Sequence, residues 1–556
     1  MPTLRLAVLV SAALCAPAVS AGSPGLLVDA RIHTGDASRP VAEAVAWDAQ
    51  GRVLAVGSSA ELQRRYPQVP VTRAGGRTVV PGLIDAHGHL MNLGFALMRA
   101  DLVGADSKQD VIRRLQAFER SLPPGAWLLG RGWDQNDWPD RAFPTAADLD
   151  AAFPDRPVWL ERVDGHAGWA NSAAMRSVEH DLSGDWQPEG GRILRVQAQA
   201  TGVFVDAAAA LVDAAVPVPD EATRAEALTR ALAHAVSQGL TGVHDMGVSL
   251  DDLALMRRFA DEARLPLRIR AYADGDRPAL AALCAMGPYE HPQGRLAMRG
   301  VKLYVDGALG SRGAALLEDY SDEPGHRGLL VTEPAAYAAA VAKAARCGLQ
   351  PASHAIGDRG NRIVLDTYAA QQAGRDPAAL RWRVEHAQVV APADFARFAT
   401  LGLIASMQPT HAISDMPWAE DRVGPVRLDG AYAWQTFRKQ GVPLALGSDF
   451  PVESADPRLG LYAAVTRQDR AGKPEGGWLA GQSLTAAQAL EGFTRGAAHA
   501  AFDDDELGRL APGLRADFVI LDADPLAVEP AALLDLGVVS TWVDGEVVYT
   551  RPASAD

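Results

Sequence analysis

The sequence lacks the features that would suit it to nucleic acid or to a membrane. Its 556 residues carry 53 Lys and Arg against 68 Asp and Glu, a net charge of −15 without any basic cluster. Nucleic acid is therefore a poor partner, because phosphate binding needs grouped Lys and Arg. Beyond the N-terminal segment, no run reaches the ~18 apolar residues of a membrane helix, so we expect no stable membrane insertion. We expect a small-molecule substrate. The sequence leaves open whether the chain forms a homodimer.

Cysteine is also scarce. Of three cysteines, Cys15 lies in the N-terminal segment, and Cys284 and Cys347 each lie in a stretch of helical pattern. Two cysteines are too few for a disulfide framework. We therefore expect Cys284 and Cys347 to be buried thiols.

The first 21 residues have the pattern of a secretory signal. Arg5 precedes an apolar run, Leu6 to Ala16, and the small residues 18–21 form a cleavage site. A buried N-terminal helix is the alternative. The pattern favours cleavage after Ala21 and export of the mature chain to the periplasm or the medium.

Most of the chain alternates short apolar runs with amphipathic stretches of helical period, which is typical of an α/β protein with a parallel sheet. Eight such units predict a closed (β/α)8 TIM barrel rather than an open doubly wound sheet, because the candidate site residues are spread over many strands. The predicted strands are Val79 to His87, Leu240 to Met246, Leu267 to Ala273, Gly300 to Asp306, Leu349 to His354, Arg381 to His386, Leu403 to Gln408 and Val442 to Asp449.

The remaining segments predict two additions to the barrel of residues 81–504. The connection between the first two strands is too long for a βα loop, so residues 95–220, approximately, form an inserted subdomain. Residues 22–80 and 505–556 contain short apolar runs separated by turn residues, such as Asp544-Gly545. They predict a small β-sandwich built from both termini.

Metal-competent side chains stand at the ends of several predicted strands. His87 and His89 are spaced i, i+2, so alternation directs both imidazoles to one face. His354, His386 and Asp449 each close a strand of their own. Because the C-terminal ends of barrel strands meet on one face, these five side chains predict a metal site there.

Lys302 is a charged residue inside an otherwise apolar strand. It could form a salt bridge with a neighbour such as Asp306. Alternatively, burial beside cations lowers a lysine pKa, and the neutral amine can take up carbon dioxide to become a carbamate that bridges two metals.

Taken together, these residues resemble the metal-dependent amidohydrolase superfamily. The resemblance covers residues 26–550, approximately. Within the superfamily, the motifs are most similar to the "amidohydrolase 3" or YtcJ-like branch, which includes N-substituted formamide deformylases. The motifs that carry it are Pro81 to His89, Arg131-Gly-Trp133-Asp134, Asp164-Gly-His166-Ala-Gly-Trp-Ala-Asn171, Val301 to Gly307, His354-Ala-Ile-Gly-Asp358, Glu385-His386-Ala-Gln388 and Gly447-Ser-Asp449.

The resemblance implies one or two divalent metal ions, usually zinc. The implied ligands are His87, His89, Lys302 as a carbamate, His354, His386 and Asp449. A metal ion of this kind lowers the pKa of water toward about 7 and polarises a carbonyl. Asp449 would then act as general base and acid.

Candidate substrate contacts carry less evidence. Trp133, His166 and Asn171 lie in the insertion and resemble the family's residues, whereas His411 follows the seventh strand. Aromatic walls with a few polar groups suit a neutral, partly apolar molecule. The alternatives are a tryptophan core and local hydrogen bonding within loops.

The sequence favours an exported hydrolase that cleaves a non-peptide C–N amide bond, with N-substituted formamides as candidate substrates. Hydrolysis of esters, lactones or cyclic amides on the same centre is the alternative. A metal-binding module without turnover is disfavoured, because Asp449 places a base beside the metal.

Overall fold

A computed structural model describes residues 22–162, 167–188, 191–206, 208–275 and 277–552. The proposed signal segment, residues 1–21, lies outside this range. The chain divides into two compact units, His89–His234 and the remainder. Among the described residues, no helix is long and apolar enough to cross a membrane.

Eight parallel strands form the barrel, and each pairs with the next along the sheet. The strands, called barrel strands one to eight below, are Leu83–Gly88, Leu240–Val248, Arg268–Asp274, Leu296–Tyr304, Gln350–Ala355, Arg383–His386, Ile404–Met407 and Leu444–Leu446. A parallel bridge between Gly88 and Phe450 brings the last strand back to the first. Tyr289–Glu290 pairs antiparallel with strand four.

Amphipathic helices accompany these strands, and several bury one face. Their bounds are Leu250–Asp261, Arg277–Met286, Pro334–Arg346, Asp358–Gln372, Pro377–Leu380, Phe395–Thr400, Pro409–Asp415, Ala419–Arg427, Trp434–Lys439, Pro457–Thr466, Ala486–Glu491 and Ala497–Ala500. Capping is local: the Ser249 side chain accepts from the amide of Asp252 at the start of one helix, which satisfies an otherwise unpaired donor.

Both termini form a β-sandwich in the same unit as the barrel. One sheet contains Val53–Gly57, Ala44–Trp47, Gly25–Val28 and Val71–Arg73, and the other contains Glu546–Thr550, Val538–Val543, Phe518–Leu521, Thr78–Pro81, Arg31–His33 and Val41–Ala42. Trp47 from the first sheet meets Trp542 from the second, with ring centroids 5.8 Å apart. The helix Ser59–Arg65 belongs to this region.

The inserted unit has a sheet and a hydrophobic core of its own. Its strand order is Gly191–Val196, Gln199–Asp206, Ala167–Ala170, Val158–Arg162, Leu128–Trp133 and Ala100–Asp101. Its helices are Leu90–Ala96, Lys108–Glu119, Ala146–Asp150, Ser172–Met175, Ala210–Asp213 and the N-terminal part of Glu221–Ser237. The predicted α/β class, with a barrel, a sandwich from both termini and an inserted subdomain, is confirmed.

The apolar run predicted as one strand, Val79 to His87, is two strands. Thr78–Pro81 belongs to the sandwich and Leu83–Gly88 to the barrel, with Gly82 between them. The amide of Gly82 donates to the carbonyl of Asp517, and a Cβ at Gly82 would lie 2.2 Å from Thr241 Oγ1. The chain therefore needs glycine where it leaves one sheet for the other.

The prediction of two free thiols is wrong. Cys284 and Cys347 form a disulfide across 63 residues, with their Cα atoms 5.1 Å apart. Cys284 belongs to the helix Arg277–Met286, and Cys347 follows the helix Pro334–Arg346. These helices are neighbours around the barrel, which the number of cysteines alone does not show.

Candidate metal centre

The predicted ligands outside the insertion come together at the C-terminal ends of the barrel strands. His87, Lys302, His354 and His386 lie on strands one, four, five and six, and Asp449 follows strand eight. This face is where barrel enzymes carry their catalytic groups. The amide of Asp449 donates to the carbonyl of His87 at 2.7 Å, so the two side chains start from adjacent backbone.

Two groups of side chains can each offer three ligand atoms within 4.8 Å of one another. One group is His87, His89 and Asp449, and the other is His386, His411 and Asp449. Asp449 belongs to both groups, with one oxygen 3.4 Å from His87 Nε2 and the other 3.7 Å from His411 Nε2. Its carboxylate therefore lies between the two ligand sets.

His411 follows strand seven, as predicted, and has a second possible role. The sequence indicated a substrate contact, whereas the structure places its imidazole among the groups that can bind metal. Its ring centroid lies 6.0 Å from that of His386. Its position after strand seven is the only sequence signal for this role.

His354 lies beside these groups without joining either set. Its ring centroid is 4.5 Å from that of His386, and its Nε2 is 3.7 Å from Asp306 Oδ1. That nitrogen is buried and has no hydrogen-bond partner among the described residues.

His87, His354 and His386 are held in the neutral form, which is the form that binds metals. Burial, with the charge of Lys302, lowers the pKa of His87 to about 4 and that of His354 to about 3. Burial and the neighbouring His354 lower the pKa of His386 well below its usual value.

Lys302 is buried with its Nζ 3.1 Å from His87 Nε2. Asp306, the alternative partner considered from sequence, instead accepts hydrogen bonds from the amides of Ala315, Ile356 and Gly357. Burial lowers the pKa of Lys302 to about 8. Its amine therefore faces the imidazole.

Hydrogen bonds fix the orientation of two imidazoles. His87 Nδ1 lies 2.7 Å from Glu385 Oε2, and His386 Nδ1 lies 2.9 Å from Gln408 Oε1. Because each partner oxygen accepts, each Nδ1 carries the proton and each Nε2 keeps its lone pair. Groups behind a metal-binding histidine commonly act in this way.

Glu385 and Arg383 were not predicted as site residues. The Arg383 guanidinium contacts both oxygens of Glu385, at 2.7 and 3.1 Å, and also reaches His244 Nδ1 at 2.8 Å. The sequence signal was their alternation in a buried strand, which directs both side chains to one face. Arg383, in turn, keeps the pKa of the buried Glu385 below its usual value, against the effect of burial.

Asp85 joins strand one to the segment after strand eight. It accepts from the amides of His87 and Ser448 at 3.0 and 3.1 Å, and from the Ser448 hydroxyl at 2.6 Å. This carboxylate therefore fixes His87 relative to the neighbour of Asp449.

Backbone conformation adds to the geometry. His386 and Asp449 have φ values of 73° and 63°, in the left-handed region. Non-glycine residues persist there only where the surrounding structure enforces the conformation, a pattern concentrated at functional sites.

The predicted substrate contacts in the insertion need correction. Trp133 is 0% exposed, donates its indole N–H to the carbonyl of Leu160, and packs on Trp138 and Trp169. Asn171 caps a helix and bonds to the backbone of residues 153, 156 and 158. Both are interior residues of the inserted unit, so we no longer expect them to touch substrate. His166 lies outside the described residues.

The donor set suits a divalent transition metal. It combines imidazoles with a carboxylate, ligands that zinc and similar ions accept. The buried Nε2 atoms of His354 and His411 have no hydrogen-bond partner among the described residues. Since a buried nitrogen without a partner is unfavourable, a metal ion would satisfy the site.

Comparison with known proteins places the chain in a family. The model of the amidohydrolase family matches residues 71–549. The chain belongs to the amidohydrolase family. The putative amidohydrolase YtcJ of Bacillus subtilis is 32% identical over 522 residues, covering 90% of this chain and 95% of that protein. The amidohydrolase is also similar to the N-substituted formamide deformylase of Arthrobacter pascens, 30% identical over 95% of this chain and 99% of that protein.

A solved structure supports the same assignment. An uncharacterized metal-dependent hydrolase of Pyrococcus horikoshii OT3 superposes with a TM-score of 0.78 at 29% identity, covering 91% of this chain and 99% of that one. The resemblance identified from the sequence motifs is confirmed. This amidohydrolase is a metal-dependent hydrolase whose candidate ligands are the histidines and Asp449 described above.

Proposed function

We propose that this amidohydrolase cleaves the C–N bond of a non-peptide amide, with N-substituted formamides as the leading substrates. The observation that carries the proposal is the position of Asp449, whose carboxylate lies between two sets of imidazoles. Similarity to a formamide deformylase along nearly the whole chain supports the substrate class.

In this proposal, two histidines bind the metal and Asp449 transfers the proton. His87 and His386 would hold the divalent metal through Nε2, since Glu385 and Gln408 occupy the other nitrogen of each ring. When bound, the metal polarises the amide carbonyl and lowers the pKa of water. Asp449 accepts the proton of the attacking water and passes it to the leaving nitrogen, which must leave as an amine.

We propose that Lys302 is carboxylated and that one or two ions bind, with zinc the expected metal. The neutral Nζ attacks carbon dioxide, an N–C bond forms as one C–O π bond opens, Nζ gives a proton to water, and the product is a carbamate whose two oxygens could serve as metal ligands. The lowered pKa of Lys302 supports this step. Lys302→Ala should lose metal and activity, and short carboxylic acids should partly restore both. Full metal content and rate without such acids would contradict the carbamate.

We also propose that the amidohydrolase is exported to the periplasm or the medium. The disulfide Cys284–Cys347 supports this location, because such bonds persist in oxidising compartments and are rare in the cytosol. Fractionation of the native host tests it: a protein that keeps its first 21 residues and stays in the cytosol would contradict export.

Asp449→Asn tests the proposed reaction. The variant should keep its fold and much of its metal while kcat for N-substituted formamides falls by about 10² to 10⁴, the range expected for a positioned acid–base group. Asp319→Asn, a surface change, serves as the control. Wild-type turnover by Asp449→Asn would overturn the role, and a preference for matched esters over formamides would overturn the amide assignment.

A further inference from the structure

A cavity of about 520 Å³ lies beside the segments that follow barrel strands seven and eight. Its volume is in the range of small-molecule sites. Its wall includes Thr410, Ile413, Glu453, Leu459, Tyr462 and Ala463. We call it the side cavity.

Two helices supply facing walls of the side cavity. Thr410, Ile413 and Ser414 come from Pro409–Asp415, and Leu459, Tyr462 and Ala463 come from Pro457–Thr466. Within each trio the spacing is i, i+3, i+4, which places the three side chains on one helix face. The second face is apolar apart from the tyrosine hydroxyl, which donates to the carbonyl of Asp469.

The side cavity and the metal centre share the helix Pro409–Asp415. His411 follows Thr410 on the same helix, and its Nε2 is 3.7 Å from Asp449 Oδ2. Glu453 lies four residues after Asp449. Because Thr410 of the cavity wall and His411 of the metal centre are consecutive residues, whose Cα atoms lie about 3.8 Å apart, a substituent of a few carbon atoms is long enough to reach from one site to the other.

Among the described residues, one polar group on the wall has no hydrogen-bond partner. Thr410 is 7% exposed, and its Oγ1 is buried without a hydrogen-bond partner among the described residues. A buried hydroxyl left in this way is unfavourable, and its oxygen lies behind the surface of the cavity wall.

The side cavity carries an excess negative charge. The Glu453 carboxylate accepts from the Ser414 hydroxyl at 2.5 Å, and no ion pair joins it to the described residues. Asp469 and Arg470, also on the wall, carry opposite charges, and Asp469 is engaged by the amides of Ala471 and Lys473. Glu453 is therefore the uncompensated charge.

We propose that the side cavity binds the substituent of the amide substrate and favours an apolar chain or ring that ends in an ammonium group, with Glu453 as its ion partner. This inference rests on the proposed amide hydrolysis and names its substrate class more closely. It replaces the tryptophan pocket expected from sequence, because Trp133 is enclosed in the inserted unit.

The test compares three formamides of similar length on the metal-loaded protein: N-(5-aminopentyl)formamide, N-hexylformamide and N-(5-carboxypentyl)formamide. The wild type should prefer the ammonium substrate to the carboxylate by about tenfold or more in kcat/KM, the effect of an electrostatic difference of about 1.4 kcal/mol. Glu453→Gln should remove most of this preference and leave the hexyl substrate nearly unchanged.

Glu475→Gln is the matched control, because it removes one negative charge from an exposed position outside the cavity wall. It should keep the wild-type preference. Equal effects of Glu453→Gln on all three substrates, or no effect on any, would overturn the proposal.

A binding measurement separates the two proposals. Hexylammonium chloride, titrated by calorimetry, should bind the wild type more tightly than Glu453→Gln. If none of the formamides is hydrolysed but this difference is found, the cavity proposal stands and the reaction fails. If hexylammonium binds both proteins equally, the cavity proposal fails whatever the reaction.

Discussion

At the scale of single residues, Glu385 determines which nitrogen of His87 is available to a metal. Its carboxylate accepts from Nδ1 at 2.7 Å, and Arg383 holds that carboxylate from behind. The orientation of the ligand His87 therefore depends on two further residues, Glu385 and Arg383, and of the three only His87 was predicted as a site residue. A charge inside a buried strand was the available signal.

Glu385→Gln should lower metal affinity by about 10- to 100-fold, the usual effect of changing a group behind a metal ligand. The amide is neutral and leaves Arg383 without its ion partner. Metal affinity is measured by competition with a chelator. Glu506→Gln is the control, since Glu506 also pairs with two arginines, Arg52 and Arg515. Unchanged affinity in Glu385→Gln would remove its positioning role.

Residue type alone did not show whether the tryptophans of the inserted unit line a substrate pocket or form a hydrophobic core. Trp133, Trp138 and Trp169 form a cluster with centroid distances of 5.9 to 6.2 Å, and a large aromatic side chain satisfies either environment. His411 shows a similar ambiguity, since its position after strand seven suits a substrate contact as well as the approach to Asp449 that the structure shows.

At the scale of elements, the sequence predicts the eight barrel strands closely, because each is a short apolar run followed by a helix of clear period. It does not divide the run at Gly82, where both halves are apolar and only the approach of Thr241 marks the change. Nor does it show which helices are neighbours, so the disulfide could not be predicted from two cysteines.

The disulfide between Cys284 and Cys347 cross-links the region of the helices Arg277–Met286 and Pro334–Arg346, and its contribution to stability can be measured. Replacing both Cys284 and Cys347 by serine should lower the free energy of unfolding by about 2 to 4 kcal/mol, because the unfolded chain loses a cross-link. Denaturant unfolding measures this change. Reduction should destabilise the parent and have no effect on the double variant; equal stability of the oxidised parent and the variant would contradict the bond.

At the scale of the whole molecule, Arg268 fastens the barrel to the sandwich. It lies at the start of barrel strand three and binds Asp517 at 2.7 and 2.9 Å and Asp544 at 2.6 Å, all largely buried. Burial alone would raise the pKa of Asp544, but Arg268 and other cations keep that pKa below its usual value. The ion pair of Asp544 with Arg268 therefore stabilises the folded state above about pH 4, and this stabilisation is lost as pH falls through the lowered pKa of Asp544.

Arg268→Met should lower the free energy of unfolding at pH 7 by about 3 to 5 kcal/mol, because Asp517 remains buried without a cation and Asp544 keeps only Arg295 and Arg515. The loss should shrink on acidification, since protonation then relieves them. Denaturant unfolding at pH 7 and pH 4 measures both effects, with exposed Arg64→Met as the control. A variant as stable as the parent at pH 7 would show that this contact does not hold barrel and sandwich together.

Elemental analysis of the purified amidohydrolase tests the metal centre most directly. The convergence of His87, His386, His411 and Asp449 predicts between one and two equivalents of divalent metal per chain, by the ligand sets above. Chelation should abolish hydrolysis, and zinc, manganese or cobalt should restore it. A protein without bound metal that gains neither metal nor activity on adding these ions would contradict the account.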